Sequence, residues 1–186
     1  MKDSFHRALQ QTLHHEGGWS DHPLDPGGAT MNGVTIRTYQ QFLGRPVTKE
    51  ELRDIPEEHL ERIYRDGYWN AVRGDDLPSG IDMMVFDFAV NAGRKRAIIT
   101  LQRAVDMPIA QQDGAIGPGT LAAVRDKCNR LGTGSVADNY GVLRELFYRG
   151  LPTFDVFGKG WLRRNETVLA MVKSWSDGED SGKAYA

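Results

Sequence analysis

Apolar positions recur at helical spacing from the first residues of the chain. Phe5, Ala8, Leu9, Thr12, Leu13 and Glu16 share one helix face at i, i+3, i+4 intervals. Ser4 stands where a cap would open that helix, and Gly17-Gly18 would stop it. The period then breaks. The stretch from Gly17 to Val34 is rich in glycine and ends in Met31-Asn32-Gly33-Val34, which predicts a loop closing in a small β-hairpin. Ile36 to Leu43 reads as a short helix closed by Gly44. Thr48-Lys49-Glu50-Glu51 is a capping box opening another, and Pro56 begins the next, which runs towards Trp69.

The second half is more strongly helical. Pro78 to Ala92 is apolar almost throughout (Ile81, Met83, Met84, Val85, Phe86, Phe88), the pattern of a helix buried on most sides. Arg94 to Val105 predicts another helix, Asp113-Gly114 a turn, and Pro118 a helix through Val124. Residues 132–135 read as a loop, followed by helices over Val136–Arg149 and Gly160–Ser176. Residues 177–186 have the composition of a flexible tail. With neither repeat nor linker in view, the expectation is one α+β domain over 1–176, mainly α-helical and two-lobed, with a small β-hairpin near the N-terminus.

Composition narrows the field. A chain of 186 residues with 40% hydrophobic content suits one compact domain with a real core. A formal charge of −2 offers no electrostatic case for nucleic-acid binding. The single cysteine, Cys128, excludes an intrachain disulfide framework. No run approaches the ~18 apolar residues of a membrane span, so stable membrane insertion is not expected. Residues 1–16, with His6, Arg7, His14 and His15, lack the pattern of a signal peptide, so the expected site of synthesis is the cytoplasm. His14, His15 and His22 do not form a His-Glu-x-x-His motif, because Gly17-Gly18-Trp19 follows His15-Glu16. Asp113-Gly114 lacks the acidic pattern of a calcium loop. No metal and no cofactor is implied.

The candidate chemistry lies at the end of the first helix. Glu16 is seven residues after Leu9, so it points within roughly 20° of it on a helix of 3.6 residues per turn. On an apolar stripe, at the negative end of the helix dipole, the charged form of a carboxylate is penalised, which suits a general acid. The alternative is a last-turn surface residue with the glycines as a C-cap. Asp25 follows nine residues later and Thr30 fourteen, with Pro26-Gly27-Gly28 turning the chain between them. An ionised Asp25 could orient a water with the Thr30 hydroxyl as second partner; a turn-capping Asp25 and a strand Thr30 are the plainer alternative.

Glu16-Gly17-Gly18-Trp19, followed by Asp25-Pro26-Gly27-Gly28-Ala29-Thr30-Met31-Asn32-Gly33-Val34-Thr35, resembles the N-terminal signature of the glycoside hydrolase family 108 muramidases. These are phage endolysins and related bacterial cell-wall lysozymes. The Glu, Asp, Thr order is also similar to that of phage-type lysozymes, whose hydroxyl residue lies one position farther on. The resemblance continues through Asp87-Phe88-Ala89-Val90-Asn91-Ala92-Gly93, Leu101-Gln102-Arg103-Ala104 and Asp113-Gly114-Ala115-Ile116-Gly117-Pro118. It ends near Gly160-Trp161-Leu162-Arg163-Arg164 and so spans about residues 8–170.

The resemblance implies a lysozyme-like fold, with a catalytic part over about 4–90 and a helical peptidoglycan-binding part over about 91–176. It implies hydrolysis of the β-1,4 bond between N-acetylmuramic acid and N-acetylglucosamine, with peptidoglycan glycan strands as the partner. Glu16 would be the acid; Asp25 and Thr30 would place a water, with inversion at the anomeric carbon. A phage or prophage endolysin is the expected setting: a monomer held in the host cytoplasm before lysis, acting on the wall in the periplasm, with a holin as functional partner only. The competing readings are a non-catalytic peptidoglycan-binding or assembly protein of the same fold, and a lytic transglycosylase, against which a second carboxylate counts.

Further residues are candidates for binding substrate. Trp19 serves either as a platform for a sugar face or as a lid on the core. Tyr68 either lines the cleft or packs in the core. Asn91 and Gln102 are amides in apolar helical stretches, which need partners: a substrate acetamido group, or neighbouring backbone. Arg94-Lys95-Arg96 is a solvated helix start or a grip on anionic cell wall.

Overall fold

The computed structural model describes residues 2–21 and 28–180, with side chains over 4–21 and 28–175. Its helices are α1 (Lys2–Glu16), α2 (Ile36–Leu43), α3 (Lys49–Arg53), α4 (Glu57–Tyr64), α5 (Ile81–Ala92), α6 (Arg94–Ala104), α7 (Pro118–Leu131), α8 (Thr133–Arg149) and α9 (Phe154–Asp180). Three short strands, β1 (Trp19–Ser20), β2 (Thr30–Met31) and β3 (Val34–Thr35), form an antiparallel sheet in that order. The fold is the mainly α-helical α+β, lysozyme-like one that the sequence predicts. No described helix is long and apolar enough to cross a membrane.

The hairpin is a direct consequence of its turn residues. Met31 pairs with Val34, leaving Asn32-Gly33 as a two-residue loop. Both have positive φ, 48° and 76°, the requirement of the hairpin turn whose twist matches the strands. β1 adds a third strand through Trp19↔Met31 and Ser20↔Thr30.

Helix α5 is the axis of the core. Every residue from Ile81 to Ala89 is buried. Phe86 and Phe88 lie about 200° apart around a helix of 100° per residue, so they serve opposite sides. Phe86 meets Phe5 of α1 and Trp69 edge-on, with centroids 6.0 and 5.5 Å away. Phe88 meets Tyr140 and Tyr148 of α8 at 6.1 and 5.6 Å. α5 therefore joins the N-terminal elements to α8 and α9 through edge-to-face aromatic packing.

Several boundaries differ from prediction. α1 begins at Lys2, so Ser4 lies inside the helix rather than capping it. α5 opens at Ile81 because the Pro78 carbonyl and Gly80, at φ 90°, form the turn before it. The expected break at 132–135 shrinks to Gly132, whose N–H bonds to the Cys128 carbonyl; α7 runs on to Leu131 and α8 opens at Thr133. α9 starts at Phe154, six residues before the predicted start, despite two glycines in its first turns. Packing along α8 and α5 outweighs their poor helix propensity. Residues 177–180, expected in the tail, continue α9; residues 181–186 lie outside the described residues.

Candidate active site

Glu16 is the last residue of α1, and Gly17, at φ 75°, turns the chain away from it. A Cβ built on Gly17 or Gly18 would meet nothing within 4 Å, so the space beside the acid is open. The carboxylate itself is half-buried and held from two sides. Oε1 accepts a hydrogen bond from Arg164 Nη1 at 2.7 Å. Oε2 faces the hairpin turn, where a Cβ on Gly33 would stand 3.1 Å away. The same imagined Cβ would be 2.5 Å from Tyr64 Oη, which donates to the Asn32 carbonyl at 2.8 Å. Gly33 is thus required twice over: by its positive φ and by the lack of room between Glu16 and Tyr64.

Arg164, on α9, is held in turn by Asp87 of α5. Its Nε lies 2.9 and 3.1 Å from the two carboxylate oxygens, and its Nη2 is 2.8 Å from Oδ1. Asp87 also accepts from Arg144 Nη2 of α8 at 2.5 Å, and both of those side chains are wholly buried. Arg144 Nε donates to Tyr148 Oη, and Tyr148 Oη donates to Asn91 Oδ1. The result is a balanced set of two carboxylates and two guanidiniums running from the core to the acid. Burial alone would push Asp87 up; the facing Arg144 and Arg164 outweigh it and hold the carboxyl below the usual carboxylate range. His15, beside the acid, is pushed down by burial and by Arg164, and its ring is 3.0 Å from Gln11 Nε2.

Two tyrosines close this side of the site. α4 passes into a π-helical turn, Arg65–Trp69, so Tyr64 and Tyr68 stack with centroids 5.7 Å apart. Burial pushes the Tyr68 hydroxyl up, with the Glu16 charge adding to it and Arg94 opposing it.

The sequence-derived candidates divide accordingly. Glu16 stands at the centre, but beside an arginine rather than on a purely apolar stripe. Asp25 lies outside the described residues, as does His22. Thr30 is in β2, its Oγ1 donating to the Gly28 carbonyl at 3.3 Å. Trp19 is half-buried, and one indole face carries the Arg53 guanidinium at 4.5 Å. Tyr68 is half-buried against Tyr64. Asn91 gives its Oδ1 to Tyr148. Gln102 is fully buried, and its amide is used internally: Nε2 donates to Asp113 and the Ala115 carbonyl, and Oε1 accepts from Gly114 N–H. It ties down the 113–115 turn and has no face for a sugar, which corrects its assignment to substrate binding. Sequence reasoning missed Asp87, Arg144 and Arg164. The signal was there: an aspartate inside an unbroken apolar helix must find a counter-charge.

Residues 9–93 match the protein family described as Glycosyl hydrolase 108, and residues 96–166 match that described as Predicted Peptidoglycan domain. No curated protein matches the chain. Matching solved structures include one described as the structure of Brucella abortus SagA. It is 40% identical, covers 95% of this chain and 97% of that chain, and superposes with a TM-score of 0.79. Glu16 and Asp87 fall in the first matched region, Arg144 and Arg164 in the second.

Proposed function

Since this chain belongs to the Glycosyl hydrolase 108 family and is a peptidoglycan-related glycosidase, we propose that it is an N-acetylmuramidase. It cleaves the β-1,4 bond between N-acetylmuramic acid and N-acetylglucosamine. The observation that carries this reading is the seat of Glu16: a half-buried carboxylate with one oxygen held by Arg164 and open space beside it at Gly17-Gly18. A group so fixed can meet a glycosidic oxygen without first being ordered, which is what general acid catalysis needs.

The hydrogen bond from Arg164 also distinguishes the two carboxylate oxygens. Oε1 accepts from the guanidinium, which it does equally well as the carbonyl oxygen of a carboxylic acid. Oε2 is then the oxygen that carries the proton and passes it to the leaving sugar as the C–O bond breaks. On the opposite face of the sugar ring Asp25, five residues before Thr30 in the chain, takes a proton from water as that water attacks the anomeric carbon. Thr30 Oγ1 is the second partner of the water. Attack by water from the opposite face inverts the anomeric centre.

Muropeptide release from purified sacculi tests the reading. Reducing N-acetylmuramic acid ends are expected; 1,6-anhydro ends would mean a lytic transglycosylase, and no release a binding protein. Glu16→Gln should retain the fold and lose at least ~10²–10⁴-fold in rate, and Asp25→Asn should be severely impaired. Proton NMR in early turnover should show the α-anomer first. The setting proposed with this activity is lysis by a phage or prophage: expression together with a holin should lyse cells, and expression alone should not.

A further inference from the structure

A second feature lies apart from Glu16. Between α6 and α8 runs an open groove of about 630 Å³, lined on one side by Arg94, Lys95, Arg96 and Ile99 and on the other by Phe147. It continues past Arg96 and Phe147 into a smaller depression of about 230 Å³, which adds Arg103 and Leu146. Arg94, Lys95 and Arg96 are exposed, and among the described residues none of them forms an ion pair. Arg94 reaches only the Gly67 carbonyl at 3.4 Å, and Arg96 lies over the Phe147 ring at 4.8 Å. Among the described residues no carboxylate lines the groove. In a chain of net charge −2 this is a local concentration of cations, and their place in the first turn of α6 gains nothing from the helix dipole. The lining is also apolar: Ile99 and Phe147 line the groove, and Leu146, 59% exposed, lines the smaller depression with Phe147.

The groove suits a ligand with several anionic groups and small apolar ones between them. Three cations gathered at one side of the groove match a ligand with several carboxylates, and the apolar lining matches methyl groups. The groove also begins near the acid. Arg94 bonds to the backbone beside Tyr68, and the Tyr68 hydroxyl feels both Arg94 and Glu16. In peptidoglycan the muramic acid next to the scissile bond bears, through its lactyl group, a short peptide of alanine, glutamate and a third, often diacidic, residue.

We propose that the α6–α8 groove is a binding site for the carboxylate-bearing stem peptide of peptidoglycan, engaged through Arg94, Lys95 and Arg96 while the glycan lies at Glu16. This rests on the muramidase reading for the identity of the ligand. Wall phosphates share the negative charge but not the methyl groups that would use the apolar lining.

The full chain, labelled with nitrogen-15, is titrated with three probes: the free tetrapeptide L-alanyl-γ-D-glutamyl-diaminopimelyl-D-alanine, inorganic phosphate, and the peptide-free disaccharide of the glycan. The tetrapeptide should move the amides of Arg94 to Ile99 and of Phe147. Phosphate at the same concentration should move them far less, and the disaccharide should move those around Gly17 and Gly33 instead. Lys95→Glu with Arg96→Glu should weaken tetrapeptide binding by on the order of tenfold or more, with the remaining amide spectrum unchanged. Should that variant unfold, Lys95→Gln alone, at an exposed position, gives the same comparison with a smaller loss. Tetrapeptide shifts outside the groove, equal shifts with phosphate, or undiminished binding by a folded variant would each overturn the proposal. Binding is read without turnover, so the two readings fail separately. A chain that binds the tetrapeptide here but cuts no sacculi sinks the hydrolase; one that cuts sacculi but leaves the groove empty sinks only this site.

Discussion

Arg164 Nη1 lies 2.7 Å from Glu16 Oε1 across 148 residues of chain. The arginine comes from α9 and the glutamate from the end of α1, so neither matched region alone contains the pair. What holds them together is Asp87 on α5, whose carboxylate takes both Arg164 and Arg144 in a fully buried position. The position of the acid is therefore set by the packing of helices distant in sequence, together with the hairpin turn at Gly33 that faces its other oxygen.

Removing the central charge should be costly. Asp87→Asn leaves Arg144 and Arg164 with Glu16 as their one ion-pair partner among the described residues. Loss of one partner from a buried ion network typically costs about 3–5 kcal/mol. Urea unfolding should show a destabilisation of that order, and a loss below about 1 kcal/mol would mean that the network is not coupled to the fold. The pH trend follows from the depressed carboxyl. This contribution is present above the ordinary carboxylate range and is lost as the pH falls through the lower, native value.

Gly33→Ala should damage the site more than the fold. Its Cβ would stand 2.5 Å from Tyr64 Oη and 3.1 Å from Glu16 Oε2, at a φ of 76°. The backbone strain is worth about 1–3 kcal/mol, but the carboxylate must also move. We expect hydrolysis of sacculi to fall far more than the thermal transition does. Adding Tyr64→Phe removes the closer of the two contacts, so the double variant should recover part of the activity despite losing the bond to the Asn32 carbonyl. Additive losses would show that Gly33 does not act through Tyr64.

Local signals in the sequence reached a long way. The capping box at Thr48, the αL glycine at Gly44 and the Asn32-Gly33 turn are chemical necessities of short segments, and each appears where the pattern places it. Glu16 was legible for the same reason, as a carboxylate on a helix face ended by two glycines. What the pattern could not supply were partners distant in sequence. Periodicity identifies α5 as buried but does not say which helix brings the charge that Asp87 needs. Gln102 shows the limit from the other side: a lone amide in an apolar helix fits a ligand or neighbouring backbone equally, and only the fold shows that a turn eleven residues on absorbs its donors. The starts of α8 and α9 lie earlier than the pattern predicts because glycine propensity is a small term beside the packing of long helices.

Asp82 gives the stability of the fold a pH dependence of opposite sign. It is almost fully buried at the start of α5, where Oδ1 accepts from the Gly80 and Met83 N–H groups. Burial raises its pKa from the ordinary 3.8 to about 6, against the pull of those bonds and of Ser4 and Arg7. Between these values the native state binds the proton and the unfolded state does not, so stability falls as the pH rises. Asp82→Asn keeps the carbonyl acceptor and cannot ionise. The difference in unfolding free energy, variant minus wild type, should move in favour of the variant from about pH 4 to about pH 6.5, by at most about 3 kcal/mol. A difference that is flat with pH would mean that Asp82 does not titrate in this range.

Arg164→Lys separates the charge of the arginine from its geometry. An ammonium keeps the positive charge but is a single point, whereas the guanidinium bonds Asp87 through Nε and Glu16 through Nη1 at once. A lysine held by Asp87 leaves Glu16 Oε1 without its donor, and a misplacement of about 1 Å at a reacting group can cost on the order of 10²-fold. The fall should appear in kcat with little change in KM, because Arg164 positions the acid and does not bind the sugar. The decisive comparison is made in the Glu16→Gln background. If Arg164 acts through the acid, adding Arg164→Lys there should cost almost nothing further in residual hydrolysis, since the proton donor it positions is already gone. A full additional loss would show that Arg164 supports the enzyme by another route, through the fold or through substrate, and that its hydrogen bond to Glu16 is incidental.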